Sequence, residues 1–142
     1  MNIVKIDHIA IAVLEGQKVA ETWENILGLK FEGIEVLDKN GVKVFMIGFK
    51  EKQHGAPCIE FLEPLHDASP INNFLKTRGN GIHHICFETT DIEKDLDELK
   101  KRGVKLIDEK PRKGAHDSLI AFVSPKEFGG ILIELMQSAI NP

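Results

Sequence analysis

The strongest constraint on the fold is that the chain nearly repeats itself. DHIAIAV (7–13) overlays HHICFET (83–89), so that His8 falls on His84, 76 positions later. GLKF (28–31) overlays GVKL (103–106) at an offset of 75, and CIEFL (58–62) overlays LIELM (132–136) at 74, which places Glu60 on Glu134. An offset that drifts so little across a whole module marks a duplicated supersecondary unit.

The elements expected inside each copy agree. KIDHIAIAV (5–13) alternates and is rich in Ile and Val, as a strand requires. A helix over 16–27 is stopped by Gly28, followed by strands at 29–37, 42–49 and 57–62 with DKNG (38–41) as the hairpin turn. The connector carries one short helix, capped by Ser69 with Pro70 at its first position and ending near Gly79. The second copy reads as a strand at 82–88, a helix opening on the capping box Thr90-x-x-Glu93 and ending at Gly103, and strands at 104–109, 118–123 and 130–136. The expected fold class is therefore α+β in a single domain over 1–142. Two tandem βαβββ modules, about 3–66 and about 81–138 with a connector at 67–80, pair into a curved mixed sheet around a metal-binding cavity.

The cavity follows from strand alternation. His8, Ala10 and Ala12 share one face, with Ile9, Ile11 and Val13 on the other, so the first face is small enough to leave room. In the second copy His84 and Cys86 lie opposite Ile85 and Phe87. Glu60 lies opposite Ile59 and Phe61, and Glu134 opposite Ile133 and Leu135, inside the apolar run FGGILIELMQ (128–137). A carboxylate in such a run normally neutralises, pairs or binds a metal. Taken singly, each of these histidines reads as an ordinary strand residue, and each glutamate as a partner for a cation. Their recurrence at matched positions favours His8, Glu60, His84 and Glu134 as ligands of one divalent ion per chain. Two imidazoles and two carboxylates suit Co, Zn, Ni, Mn or Fe and not calcium. His83 points away from His84, and His54 and His66 lie in loops, so these three read as structural or exposed.

With 142 residues the chain can bury a core unaided, and its net charge of −4 and lack of any Lys/Arg block argue against nucleic-acid or membrane partners. The N-terminus enters a strand at once with no signal-type core, so a cytoplasmic protein is expected. Cys58 and Cys86 lie in strand-like runs and read as reduced core thiols.

The double βαβββ arrangement with His, Glu, His, Glu resembles the vicinal oxygen chelate superfamily. Within it, IDHIAIAV (6–13), LGLKFEGIE (27–35), IEFLEPL (59–65), SPINNFLKTRGNGIHHICFE (69–88), GVKLIDEKPRKGAH (103–116) and SPKEFGGILIEL (124–135) are similar to the methylmalonyl-CoA epimerases over nearly the whole chain. Ser124 stands where that pattern usually has His, Asp117 where it has Gly, and the loop KEKQHGAP (50–57) is longer. Val44 stands where one member carries a second glutamate base, and glutamine occurs in relatives at the Glu60 position.

The resemblance implies α-proton abstraction from an acyl-CoA through a metal-stabilised enolate, with Glu134 as the base. It also implies a homodimer, which would cover sheet edges. A CoA thioester calls for cations, and the best-placed residues for binding it are Arg112, Lys113, His116 and Lys126, with Arg78 beside them as a weaker candidate. Three alternatives share the fold: a glyoxalase I-type lactoylglutathione lyase acting on a glutathione hemithioacetal, an extradiol dioxygenase, and a non-catalytic small-molecule-binding protein.

Overall fold

The computed structural model describes residues 1–51 and 53–139. In chain order these form β1 (Ile3–Ala12), α1 (Gly16–Leu27), β2 (Lys30–Leu37), β3 (Val42–Gly48), β4 (Cys58–Pro64), α2 (Ile71–Arg78), β5 (Gly81–Thr89), α3 (Ile92–Lys101), β6 (Arg112–Lys113), β7 (Leu119–Val123) and β8 (Leu132–Gln137). The fold class is the expected one: α+β, mixed in strand direction, with strand, helix and three strands in each copy. No described helix is long and apolar enough to cross a membrane. Both cysteines are free thiols.

The chain forms two compact units, His8–His83 and Met1–Asp7 together with the residues from His84 onward. β1 thus begins in one and ends in the other. Asn2, just before β1, is tied to the second module by polar contacts. The backbone and side-chain amides of Asn2 both donate to Asp95 Oδ1 at 2.8 Å. Thr89 Oγ1 donates to Asp95 Oδ2 at 2.6 Å, so this fully buried carboxylate has the partners that burial demands.

In the His8–His83 unit the strand order is β2-β3-β4-β1, with β1 and β4 parallel and the other pairs antiparallel. α1 covers one face, where Val13, Ala20, Phe45, Ile47 and Phe61 are buried and Trp23 meets Phe61 edge-on at 4.9 Å. Its end is set by Gly28, whose φ of 69° glycine adopts without strain. On the opposite face Ile71 and Leu75 of α2 pack on Ala10, Ala12, Val42, Val44 and Leu62. The small side chains of Ala10 and Ala12 were expected to leave room for a cavity. Instead they let α2 approach, and both are fully buried beneath it.

In the other unit the order is β5-β8-β7-β6, with β5 and β8 parallel. Ile92, Leu96 and Leu99 of α3 bury Ala121, Val123 and Leu135 on one face. His84, Cys86 and Glu134 occupy the alternate positions, and so the other face.

Three local expectations change. The connector helix is not capped by Ser69: Pro70 precedes its first residue in helical geometry, and Ser69 Oγ is buried with no hydrogen-bond partner among the described residues. Its turn is closed by the backbone instead, Asn72 N–H donating to Ser69 C=O at 3.1 Å. α3 is capped by Asp91, one residue after the expected Thr90, and the Asp91 carboxylate accepts from Lys94 N–H at 3.1 Å. The strand expected at 104–109 is reduced to a single bridge between Leu106 and Val123. Here Asp108 Oδ2 takes the Phe122 N–H at 2.8 Å that a backbone carbonyl would take in a ladder, and Pro111 has no N–H to offer. Regular pairing resumes only at Arg112.

Candidate functional site

Each unit carries an imidazole–carboxylate pair built in the same way. In the first, His8 on β1 and Glu60 on β4 lie on neighbouring parallel strands. His8 is in register with Cys58 and Ala10 with Glu60, so both side chains leave the same face one pleat apart. Their Nε2 and Oε2 atoms are 3.4 Å apart and both residues are partly shielded.

In the second, His84 on β5 and Glu134 on β8 are again on neighbouring parallel strands, with Cys86 in register with Glu134. His84 Nε2 and Glu134 Oε2 are 3.0 Å apart, and each residue is only 7% exposed. Phe122 is the direct cross-strand partner of Glu134, and its ring meets His84 edge-on at 5.6 Å. The carboxylate embedded in FGGILIELMQ is thus held against an imidazole beneath an aromatic ring.

A nitrogen and an oxygen about 3 Å apart satisfy a hydrogen bond. The same separation results when both are bound at about 2.1 Å and at right angles to one divalent ion. The donor chemistry of either pair, one borderline nitrogen and one hard oxygen, fits a first-row divalent metal.

The loop residues separate by the face each occupies. Arg112, in register with Ile120, lies on the His84–Glu134 face, and its guanidinium carbon sits 5.4 Å from the centre of the Phe122 ring. Asp108 holds its Nε, with both carboxylate oxygens at 3.3 Å. Lys113 alternates to the other face, in register with Leu119, which packs toward α3. His116 and Lys126 are exposed, and the Lys126 N–H donates to Ser124 Oγ at 3.3 Å. His83, which alternates with His84 along β5, meets the ring of Phe74 edge-on at 5.1 Å. Sequence reasoning missed Phe122 and Asp108. The first was legible as the one aromatic of β7, whereas the second acts only through tertiary contact.

The turn after Arg112–Lys113 is tight. A Cβ on Gly114 would come within 2.6 Å of Ile120 Cγ2, and both His116 and Asp117 take left-handed backbone angles, φ 56° and 59°.

A family model described as Glyoxalase/Bleomycin resistance protein/Dioxygenase superfamily matches residues 7–122. The chain is 37% identical over 135 residues to the ethylmalonyl-CoA/methylmalonyl-CoA epimerase of Cereibacter sphaeroides, covering 94% of this chain and 97% of that protein. It is 36% identical over 138 residues to the human mitochondrial methylmalonyl-CoA epimerase, covering 96% of this chain and 76% of that one. A solved methylmalonyl-CoA epimerase in complex with methylmalonyl-CoA and ammonium superposes with a TM-score of 0.85 at 33% identity, covering 96% of each chain. The chain belongs to that superfamily, and within it to the methylmalonyl-CoA epimerase family.

Left-handed geometry costs about 1–2 kcal/mol at a residue with a Cβ. Asp117→Gly should therefore stabilise the protein by about 1 kcal/mol in urea denaturation; an unchanged or lowered midpoint would show that the Asp117 side chain offsets the strain.

Proposed function

We infer that the protein epimerises methylmalonyl-CoA or a closely related acyl-CoA. The observation that carries this is the buried His84–Glu134 pair, held on one sheet face of a chain that matches acyl-CoA epimerases over nearly its full length. A glutathione hemithioacetal substrate and a non-catalytic role are not favoured, since the full-length relatives described above are acyl-CoA epimerases.

We propose further that His8, Glu60, His84 and Glu134 together ligate one divalent ion. Support comes from the matched positions in the repeat, the identical register of the two pairs and the donor chemistry of each. Bound there, the ion supplies Lewis-acid stabilisation of the negative charge that develops on the thioester oxygen. Glu134 is the base: its carboxylate takes the α-proton, and burial keeps water from competing for it. His84 flanks that carboxylate, its Nε2 lying 3.0 Å from Glu134 Oε2, the spacing of two atoms that share one ion. Phe122 walls the pair from the β7 side. Return of a proton to the opposite face of the planar carbon inverts the centre.

Arg112, Lys113, His116 and Lys126 supply the cationic loops that meet the acyl-CoA. The protein acts in the cytoplasm as a homodimer in this reading, and light scattering that reports a monomer's mass at micromolar concentration would contradict the dimer.

Replacing Glu134 with Gln keeps an oxygen ligand and removes the basicity. Glu134→Gln should lower turnover by roughly two orders of magnitude with metal still bound, the usual worth of a positioned base. Glu60→Gln should be mild, and metal content measured in parallel should remain near one ion per chain in both. Near-normal turnover in metal-loaded Glu134→Gln would overturn the base assignment, and a wild type that takes up no stoichiometric metal would overturn the ligand set.

A further inference from the structure

Arg112 is built into the second module in a way that a merely solvated arginine is not. Its guanidinium lies over Phe122, the same ring that meets His84 edge-on, and Phe122 is the cross-strand partner of Glu134. Asp108 fixes the near end of the guanidinium at Nε while its other oxygen contact, to Phe122 N–H at 2.8 Å, locks Asp108 to the same strand. Among the described residues no hydrogen bond occupies the two terminal Nη groups, and about half of the side chain is open to solvent. The result is a planar two-pronged donor presented one ring away from the proposed base.

We infer that Arg112 reads the free carboxylate on the α-carbon of the substrate. This rests on the epimerase reading and assigns the arginine a task different from holding the CoA phosphates. Those phosphates lie beyond the whole pantetheine arm, whereas Arg112 stands beside the ring that flanks His84 and Glu134, where the α-carbon must be. A guanidinium matches a carboxylate in shape and charge through paired N–H donors. Its charge also offsets the repulsion that arises when an enolate forms next to a carboxylate, so the contact strengthens as the proton leaves. Arg112 is thereby the residue that separates a carboxylated acyl-CoA from a plain one, with Asp108 as its positioning residue.

The test is calorimetric titration of wild type, Arg112→Met and Arg112→Lys with methylmalonyl-CoA, propionyl-CoA and CoA. Wild type should bind methylmalonyl-CoA more tightly than propionyl-CoA. Arg112→Met should reduce that preference by roughly tenfold or more, the worth of a hydrogen-bonded charge contact, while propionyl-CoA and CoA affinities stay within about twofold. Arg112→Lys, which keeps the charge but not the fork, should fall between. Equal loss for all three ligands would make Arg112 a phosphate contact and overturn the inference, as would a preference unchanged in Arg112→Met or absent in wild type. Unchanged thermal melting of the variants guards against a folding defect. A wild type without α-proton exchange on methylmalonyl-CoA would sink the epimerase reading itself; a wild type that exchanges the proton, with a variant that keeps the preference, sinks only the role of Arg112.

Discussion

The structure is organised around the burial of a carboxylate and an imidazole on a sheet face. His84 and Glu134 are both nearly inaccessible, and a buried ionisable group persists only with a partner. The partner is supplied by topology. A helical crossover makes the first and last strands of a βαβββ module parallel neighbours, and the register then sets histidine and glutamate one pleat apart. The same register recurs in the first module with His8 and Glu60, so the duplication reproduces a chemical pair as well as a set of strands.

The modules differ in what else lies on the face that carries the imidazole–carboxylate pair. In the first, α2 packs on it through Ile71 and Leu75, and the alanines of β1 accept that helix. In the second, the apolar side of α3 is committed to the opposite face, and the face that carries His84 and Glu134 is flanked instead by Phe122 and, over it, Arg112. A duplicated scaffold has thus specialised, with a packed half and a half that presents a charged donor. The specialised side carries the residue to which the proton chemistry is assigned, which is the division of labour expected of a site grafted on a common fold.

Most of the architecture was legible in the sequence because its signals are local and repeated. The bounds of α1 emerge from the sequence unshifted, since Gly28 closes the helix by a backbone rule. That His8, Glu60, His84 and Glu134 each leave the face opposite the bulky residues beside them was legible from alternation plus repetition; which imidazole meets which carboxylate was not, because it follows from β1 lying beside β4 and β5 beside β8. What was hidden depends on tertiary competition. The segment after Gly103 has a strand's composition, but the Asp108 side chain intercepts the Phe122 N–H and the ladder breaks. Thr90 and Asp91 are both good caps in sequence, and only the geometry selects Asp91. The cavity-making role expected of Ala10 and Ala12 failed because nothing in their own strand announces that the connector helix will return over them.

The central claim is that this site removes and returns the α-proton of a carboxylated acyl-CoA. Its most direct test is proton NMR of methylmalonyl-CoA in D₂O with the metal-reconstituted protein, with methylglyoxal and glutathione run in parallel. The account predicts loss of the α-proton signal as deuterium enters, together with interconversion of the two epimers, and no consumption of the hemithioacetal. An α-proton signal that decays no faster than in buffer, while the hemithioacetal is consumed, would contradict it.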